Sequence, residues 1–112
     1  MSKTNHVQLI GNIGSDLTIF TTESKASILN FSLATNHTYT DAQGQKQKST
    51  EWHNVVGFGK TADSIAKYCT KGSKIMVLGH IQTKTYVNKE HITMYRAEII
   101  MEECLFLDNK PQ

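Results

Sequence analysis

An all-β barrel of five strands carrying one short helix is the fold class that this sequence predicts. Three observations carry it: apolar and polar residues alternate with a period of two in several separate stretches, a single stretch has helical spacing, and polar segments divide the strands. At 112 residues, 38% hydrophobic and 20% charged, the chain is sized for one domain whose core needs no disulfide.

In chain order, residues 6–13 set Val7 and Leu9 against Gln8 and Ile10. Gly11 and Gly14 then predict a bulge or sharp bend. Residues 16–22 read as a threonine-rich continuation of this first strand, and Glu23-Ser24-Lys25 as a polar turn. The second strand, residues 27–35, alternates cleanly, with Leu29, Phe31 and Leu33 facing one way and Asn30 and Ser32 the other. Residues 36–49 are polar and centred on Gly44, which predicts an exposed, mobile hairpin tip carrying Tyr39, Lys46 and Lys48.

The third strand ends in Trp52-His53-Asn54-Val55-Val56-Gly57-Phe58, and Gly59-Lys60 opens a helix. Ala62, Ile65, Ala66 and Cys69 form its buried stripe, Thr61 or a neighbour is its expected cap, and Gly72 its expected end. Such a helix can plug one end of a small barrel. Residues 73–83 form the fourth strand, with Ile75, Val77 and Ile81 on one side and Met76, Leu78 and His80 on the other. Apolar residues on both sides predict cover on both sides, by the barrel interior and by a contact outside it. Residues 84–91 read as a second polar tip, bearing Tyr86, and residues 92–102 as the last strand, with Cys104-Leu105-Phe106-Leu107 docking back. Residues 1–107 thus make the folded domain, and residues 108–112 a short disordered end. Strands and helix in this order make an OB-like Greek-key barrel, a fold whose usual ligands are oligonucleotides and oligosaccharides.

Net charge is only +2, so charge alone does not single out a nucleic-acid binder. All but one of the 12 basic side chains are lysines, Arg96 being the exception, which suits nonspecific phosphate contact better than bidentate base reading. Cys69 and Cys104 have no metal-like spacing and read as buried thiols. The scattered histidines form no ligand set, so neither metal nor cofactor is expected. No apolar run has the length to span a bilayer and the chain opens without an apolar signal segment, so no membrane partner is expected and the expected compartment is the cytoplasm.

The functional signal lies in the third strand. Trp52, Asn54, Val56 and Phe58 share one face, so two large rings flank a polar residue and Lys60 follows at once. Ordinary core is the commoner fate of alternating aromatics. The recurrence of the pairing weighs against it: Tyr39 lies near Lys48 on one hairpin and Tyr86 beside Lys84 on the other. Ring plus cation is what a single strand of nucleic acid requires, each stack contributing roughly 1–3 kcal/mol.

These residues carry a family resemblance. Leu9-Ile10-Gly11-Asn12-Ile13-Gly14, Asn30-Phe31-Ser32-Leu33-Ala34-Thr35, Thr50-Glu51-Trp52-His53 with Phe58-Gly59-Lys60, and Lys71-Gly72-Ser73 resemble, in order, segments of the bacterial single-stranded DNA-binding proteins. The resemblance implies a non-catalytic OB-fold that coats single-stranded DNA in replication, recombination and repair, commonly as a homotetramer, with a dimer as the other possibility. By position it implies stacking by Trp52, Phe58, Tyr39 and Tyr86, and phosphate contact by Lys60, Lys71 and Lys84, to which Lys48 is added from its place on the first hairpin. It implies a subunit interface involving His53 and the first strand at Val7, Leu9 and Gly11. Tyrosines stand at two positions where the family often has tryptophan, and Asn54, Thr40 and Thr70 where some members are basic, which predicts weaker binding. The sequence closes on Asn109-Lys110-Pro111-Gln112 rather than an acidic tip, so tail-mediated recruitment of repair enzymes is not expected.

Two rival readings differ in kind. Gly57-Phe58-Gly59-Lys60-Thr61 lies between a strand and a helix as a phosphate-binding loop would, but Asn54 stands where that motif needs its first glycine. The other is an accessory OB-fold protein of replication restart, tail-less and acting mainly through protein partners. Stacking also leaves RNA as a possible ligand.

Overall fold

The computed structural model describes residues 4–107. Six strands and one helix follow in the order β1 (Val7–Ile13), β2 (Thr18–Thr21), β3 (Ser27–Thr40), β4 (Lys46–Phe58), α1 (Gly59–Tyr68), β5 (Lys74–Val87) and β6 (Thr93–Phe106). The sheet runs β1-β5-β6-β4-β3-β2, and β1 also pairs with β3, closing a five-strand barrel in which β2 continues the line of β1 along β3. Every pairing is antiparallel except β4 with β6, which meet in parallel at Val55↔Ile99 and Val56↔Ile100. This is the expected OB-type barrel, with β1 and β2 as the two halves of its first strand.

Leu29, Phe31 and Leu33 point inward as their alternation requires, meeting Ile13, Val55, Ile75, Val77, Ile99 and Met101 in one core. Helix α1 adds Ala62 and Ile65 to that core, and Cys69 follows it in. It has no side-chain cap, its N-cap residue being Phe58, and it ends at Tyr68 rather than running on to Gly72. Gly72, at φ 98°, instead shapes the turn that brings the chain back to β1. There its N–H donates to the Ile13 carbonyl at 2.7 Å, and the Asn12 amide donates to the Gly72 carbonyl at 3.1 Å.

The bend expected near the first glycines is a change of partner. β1 follows β5 from Val7 to Asn12, then joins β3 at Asn12↔Ala34 and Ile13↔Leu33. A Cβ on Gly11 would overlap the Ala34 carbonyl, so glycine there allows two backbones to cross. The bulge itself lies in β5, at Leu78/Gly79, where a Cβ on Gly79 would strike the Ile100 carbonyl.

Both polar tips prove to be ladders. β3 and β4 stay paired out to Thr40↔Lys46, and β5 and β6 out to Val87↔Thr93. All three hairpin turns are closed alike. The amide of Ala26 donates to Thr22 Oγ1, that of Gln45 to Asp41 Oδ1 and that of Ile92 to Asn88 Oδ1, at 3.1, 2.9 and 3.0 Å. Lys25, Gly44 and His91 take the left-handed conformation just before the chain re-enters its strand, at φ 64°, 79° and 63°. Hydrogen bonds from the Gln45 amide, the Gln47 side chain and the Gln43 amide hold the Asp41 carboxyl below its ordinary range.

Residues 104–106 do dock back, as a continuation of β6 along β5. They do so by backbone pairing, and Leu105 and Phe106 keep their side chains exposed. Cys104 is half-buried, and that burial, with Cys69 adding to it, pushes its thiol up to about 12. The disordered end expected at 108–112 lies outside the described residues. Among the described residues no helix is long and apolar enough to cross a membrane.

Candidate nucleic-acid interface

Strand β4 leaves the barrel as an arm, so its outer face changes character along its length. On that face Val56 is buried at 5% exposure, whereas Trp52 on one side of it is 62% exposed and Phe58 on the other 48%. Ala34, the cross-strand partner of Trp52, is small and leaves the indole unshielded on that side. Beneath the ring lies Gly14: a Cβ built there would overlap the indole at Cζ3 and come within 3.0 Å of Cη2. Gly14 thus serves by its lack of a side chain. Its own N–H is held by the Ser32 carbonyl at 2.8 Å, which keeps the seat in place.

Gly14→Val displaces the indole while leaving the barrel core untouched. Expected are an altered tryptophan emission maximum and about fivefold weaker binding of oligo-dT, part of one base stack, with thermal unfolding within a few degrees of wild type. Unchanged emission and unchanged affinity would refute this seat.

Between the two rings, Asn54 and Val56 form part of a groove of about 350 Å³. Ser15 and Asp16 line it from the link between β1 and β2, Thr18 from β2, Asn30 and Ser32 from β3, and Arg96 and Glu98 from β6. The polar residue between the rings therefore belongs to a built surface. On the neighbouring strand Lys84 and Tyr86 occupy alternate positions, Tyr86 half-exposed and Lys84 Nζ 3.5 Å from Glu98 Oε1.

The remaining candidates are dispersed. Tyr39 is exposed, but β3 alternation puts it on the face opposite Asn30 and Ser32, stacked on His37 with centroids 6.0 Å apart. Lys48 is exposed on the β3–β4 arm, in step with Trp52. Lys71 lies in the turn tied to Ile13. Lys60, in the first turn of α1, lines a separate groove with Glu102, Glu103 and Phe106. Asn54 joins the first groove, to which Lys84 is linked through Glu98, to a second one lined by Trp52, His53, Ile81, Ala97 and Ile99.

His53 is half-buried, and its Nε2 pairs with Thr35 Oγ1 of the same chain at 2.9 Å. Val7 and Leu9 pack against the core from β1, and Gly11 is buried at the crossing with β3. From Val7 to Gly11 the strand has β5 on one side only, leaving its other edge unpaired among the described residues. Arg96, Glu98, Asn30 and Gly14 are not among the site residues the sequence predicts. The i, i+2 spacing of Arg96 and Glu98 was their one signal, and it acquires meaning only once β6 is laid beside β4. Among the described residues no cluster of His, Cys, Asp or Glu could hold a metal ion.

An OB-type barrel with exposed rings around a polar outer groove defines a binding module for polymers of nucleotides or sugars. The sequence pattern of the Single-strand binding protein family matches residues 4–107, and the chain belongs to that family. It is 37% identical over 107 residues to Single-stranded DNA-binding protein 1 of Chlorobaculum tepidum, covering 95% of this chain and 66% of that one. It is likewise 37% identical over 106 residues to Single-stranded DNA-binding protein 1 of Staphylococcus aureus, covering 95% of this chain and 67% of that one. The chain spans about two-thirds of the length of these relatives. Among solved structures, the Plasmodium falciparum SSB complex with ssDNA superposes with a TM-score of 0.87 at 28% identity, covering 96% of this chain and 98% of that one. A deletion mutant of the Thermus aquaticus single-stranded DNA binding protein shares the fold, with a TM-score of 0.82 at 24% identity over 95% of this chain and 51% of its own.

Proposed function

We propose that this chain binds and protects single-stranded DNA, without catalysis and largely without regard to sequence, in replication, recombination and repair. The observation that carries the reading is the outer face of β4, where Trp52 and Phe58 stand exposed on either side of a polar groove. Unpaired bases stack on the two rings and on Tyr86 of the neighbouring arm. Lys48 and Lys71 meet phosphates along the way, and Lys60 and Tyr39 serve a strand that continues round the molecule. Lys84 contributes less than a free lysine, since its charge is shared with Glu98. The family match and the relatives' printed names support single-stranded DNA as the ligand.

The chain acts as a self-assembly, a homotetramer by family resemblance. The free edge of β1 can pair with a second copy, with Val7 and Leu9 at its root. Ile10, Met76 and Leu105 form an apolar row across β1, β5 and β6 for a further contact, Ile10 and Leu105 being well exposed. A second copy seated on this row would be the outside cover that the fourth strand's two apolar faces demand.

Titrating oligo-dT against the emission of Trp52 at several salt concentrations, with native mass measured in parallel, tests the reading. Expected are saturable quenching, an affinity that falls with salt, and a mass of four chains. Absence of both quenching and binding would overturn it, and a dimer of feeble affinity would select the accessory protein of replication restart instead.

A further inference from the structure

We infer that Phe20 is a further stacking site for single-stranded DNA, so that the bound strand turns at Phe58 and crosses β3 onto β2 instead of following β4 alone. The inference rests on the single-stranded DNA reading and extends the path of the ligand across the barrel.

Pairing fixes the face on which Phe20 stands. Phe20 lies opposite Ile28 in the β2–β3 ladder, and Ile28 lies opposite Phe58 in the β3–β4 ladder. Directly paired residues share a face, so Phe20, Ile28 and Phe58 make one row across the sheet. Next to it runs a second row of Thr18, Asn30 and Val56, all of which line the groove of the candidate interface. Both rows are on the outside, because Leu29, between Ile28 and Asn30, is sealed in the core.

Phe20 contributes little to the fold. It is 51% exposed, against 48% for Phe58, and belongs neither to the core nor to the partly buried residues packed against it. Among the described residues neither phenyl group has another ring beside it. Strand β2 is nonetheless held in place, by pairing along its whole length and by the Thr22 N–H, which donates to the Ala26 carbonyl at 2.9 Å. An exposed ring on a fixed strand loses little freedom when a base settles on it. The row is also too small for a protein partner: two rings and Ile28, bordered by Thr18 and Asn30, fall far short of the roughly 800 Å² that each side of a stable protein contact buries.

The spacing suits a polymer of bases. Strands about 4.8 Å apart put the backbones beneath the two rings about 10 Å from each other, whereas a stacked strand advances about 3.4 Å per nucleotide. The rings therefore serve different bases, about three nucleotides apart, and the bases between them pass over Ile28.

Phe20→Trp combined with Trp52→Phe moves the sole tryptophan to β2 while keeping a ring at both positions. Emission of this double variant is expected to be quenched as labelled oligo-dT saturates it, and binding seen by the label without any change in emission would overturn the inference. Phe20→Ala is expected to bind long oligo-dT about fivefold to tenfold more weakly, the loss of one base stack, with Trp52 still quenched at saturation and the native mass as in wild type. Affinity equal to that of wild type would overturn the inference, and so would a changed native mass, which would make Phe20 a contact between copies. Failure of the wild-type chain to bind oligo-dT would instead sink the broader reading.

Discussion

Trp52→Ala is expected to weaken binding of oligo-dT by about tenfold or more and to abolish fluorescence quenching. One base–aromatic stack is worth about 1–3 kcal/mol, and the indole supplies a wide platform. It is 62% exposed, seated on Gly14 and opposite small Ala34, so little of it is committed to the barrel. Being the sole tryptophan, it is also the reporter, so affinity in the variant must be read by a label on the DNA. Thermal stability should scarcely change. A variant that binds as wild type does would refute the stacking role, and one that unfolds readily would mean that the ring serves packing.

Ile65→Ala is expected to have the opposite profile, lowering stability by about 2–5 kcal/mol, the usual cost of truncating a sealed aliphatic side chain. Ile65 is fully buried beside Ala62, where α1 meets the barrel. With about 4–8 °C of melting temperature per kcal/mol in a domain of this size, the midpoint should drop by about 8 °C or more. Affinity for oligo-dT, measured well below that midpoint, should remain. A shift of less than about 2 °C would show that α1 does not act as the plug.

The barrel was legible wherever one face of a strand is buried. Leu29, Phe31 and Leu33 had to alternate with Asn30 and Ser32 because only one side meets the core, and the stripe of Ala62, Ile65 and Cys69 had to follow helical spacing for the same reason. The arms were not legible. From Asn36 to Ser49 and from Lys84 to His91 almost every side chain is exposed on both faces, so no period of two is imposed, and the ladder is built by backbone groups any sequence possesses. Four residues of the proposed surface could be read from one stretch or one hairpin. Glu98 and Asn30 could not, since the groove they line is assembled from the β1–β2 link, β2, β3, β4 and β6, and no local pattern records that meeting. Gly14 was legible as a glycine but not as a seat, because the reason for it stands thirty-eight positions away in the indole of Trp52.

The two long arms have a cost in shape. A tightly packed chain of this length has a radius of gyration of about 13 Å, whereas this one reaches 16.3 Å with extents of 55 × 49 × 33 Å. Residues spent on reach add perimeter without adding interior, so the lone protomer is thinly insulated for its mass. Partners that close over its flanks, whether sister copies or a wound thread, would therefore act as its missing outer shell.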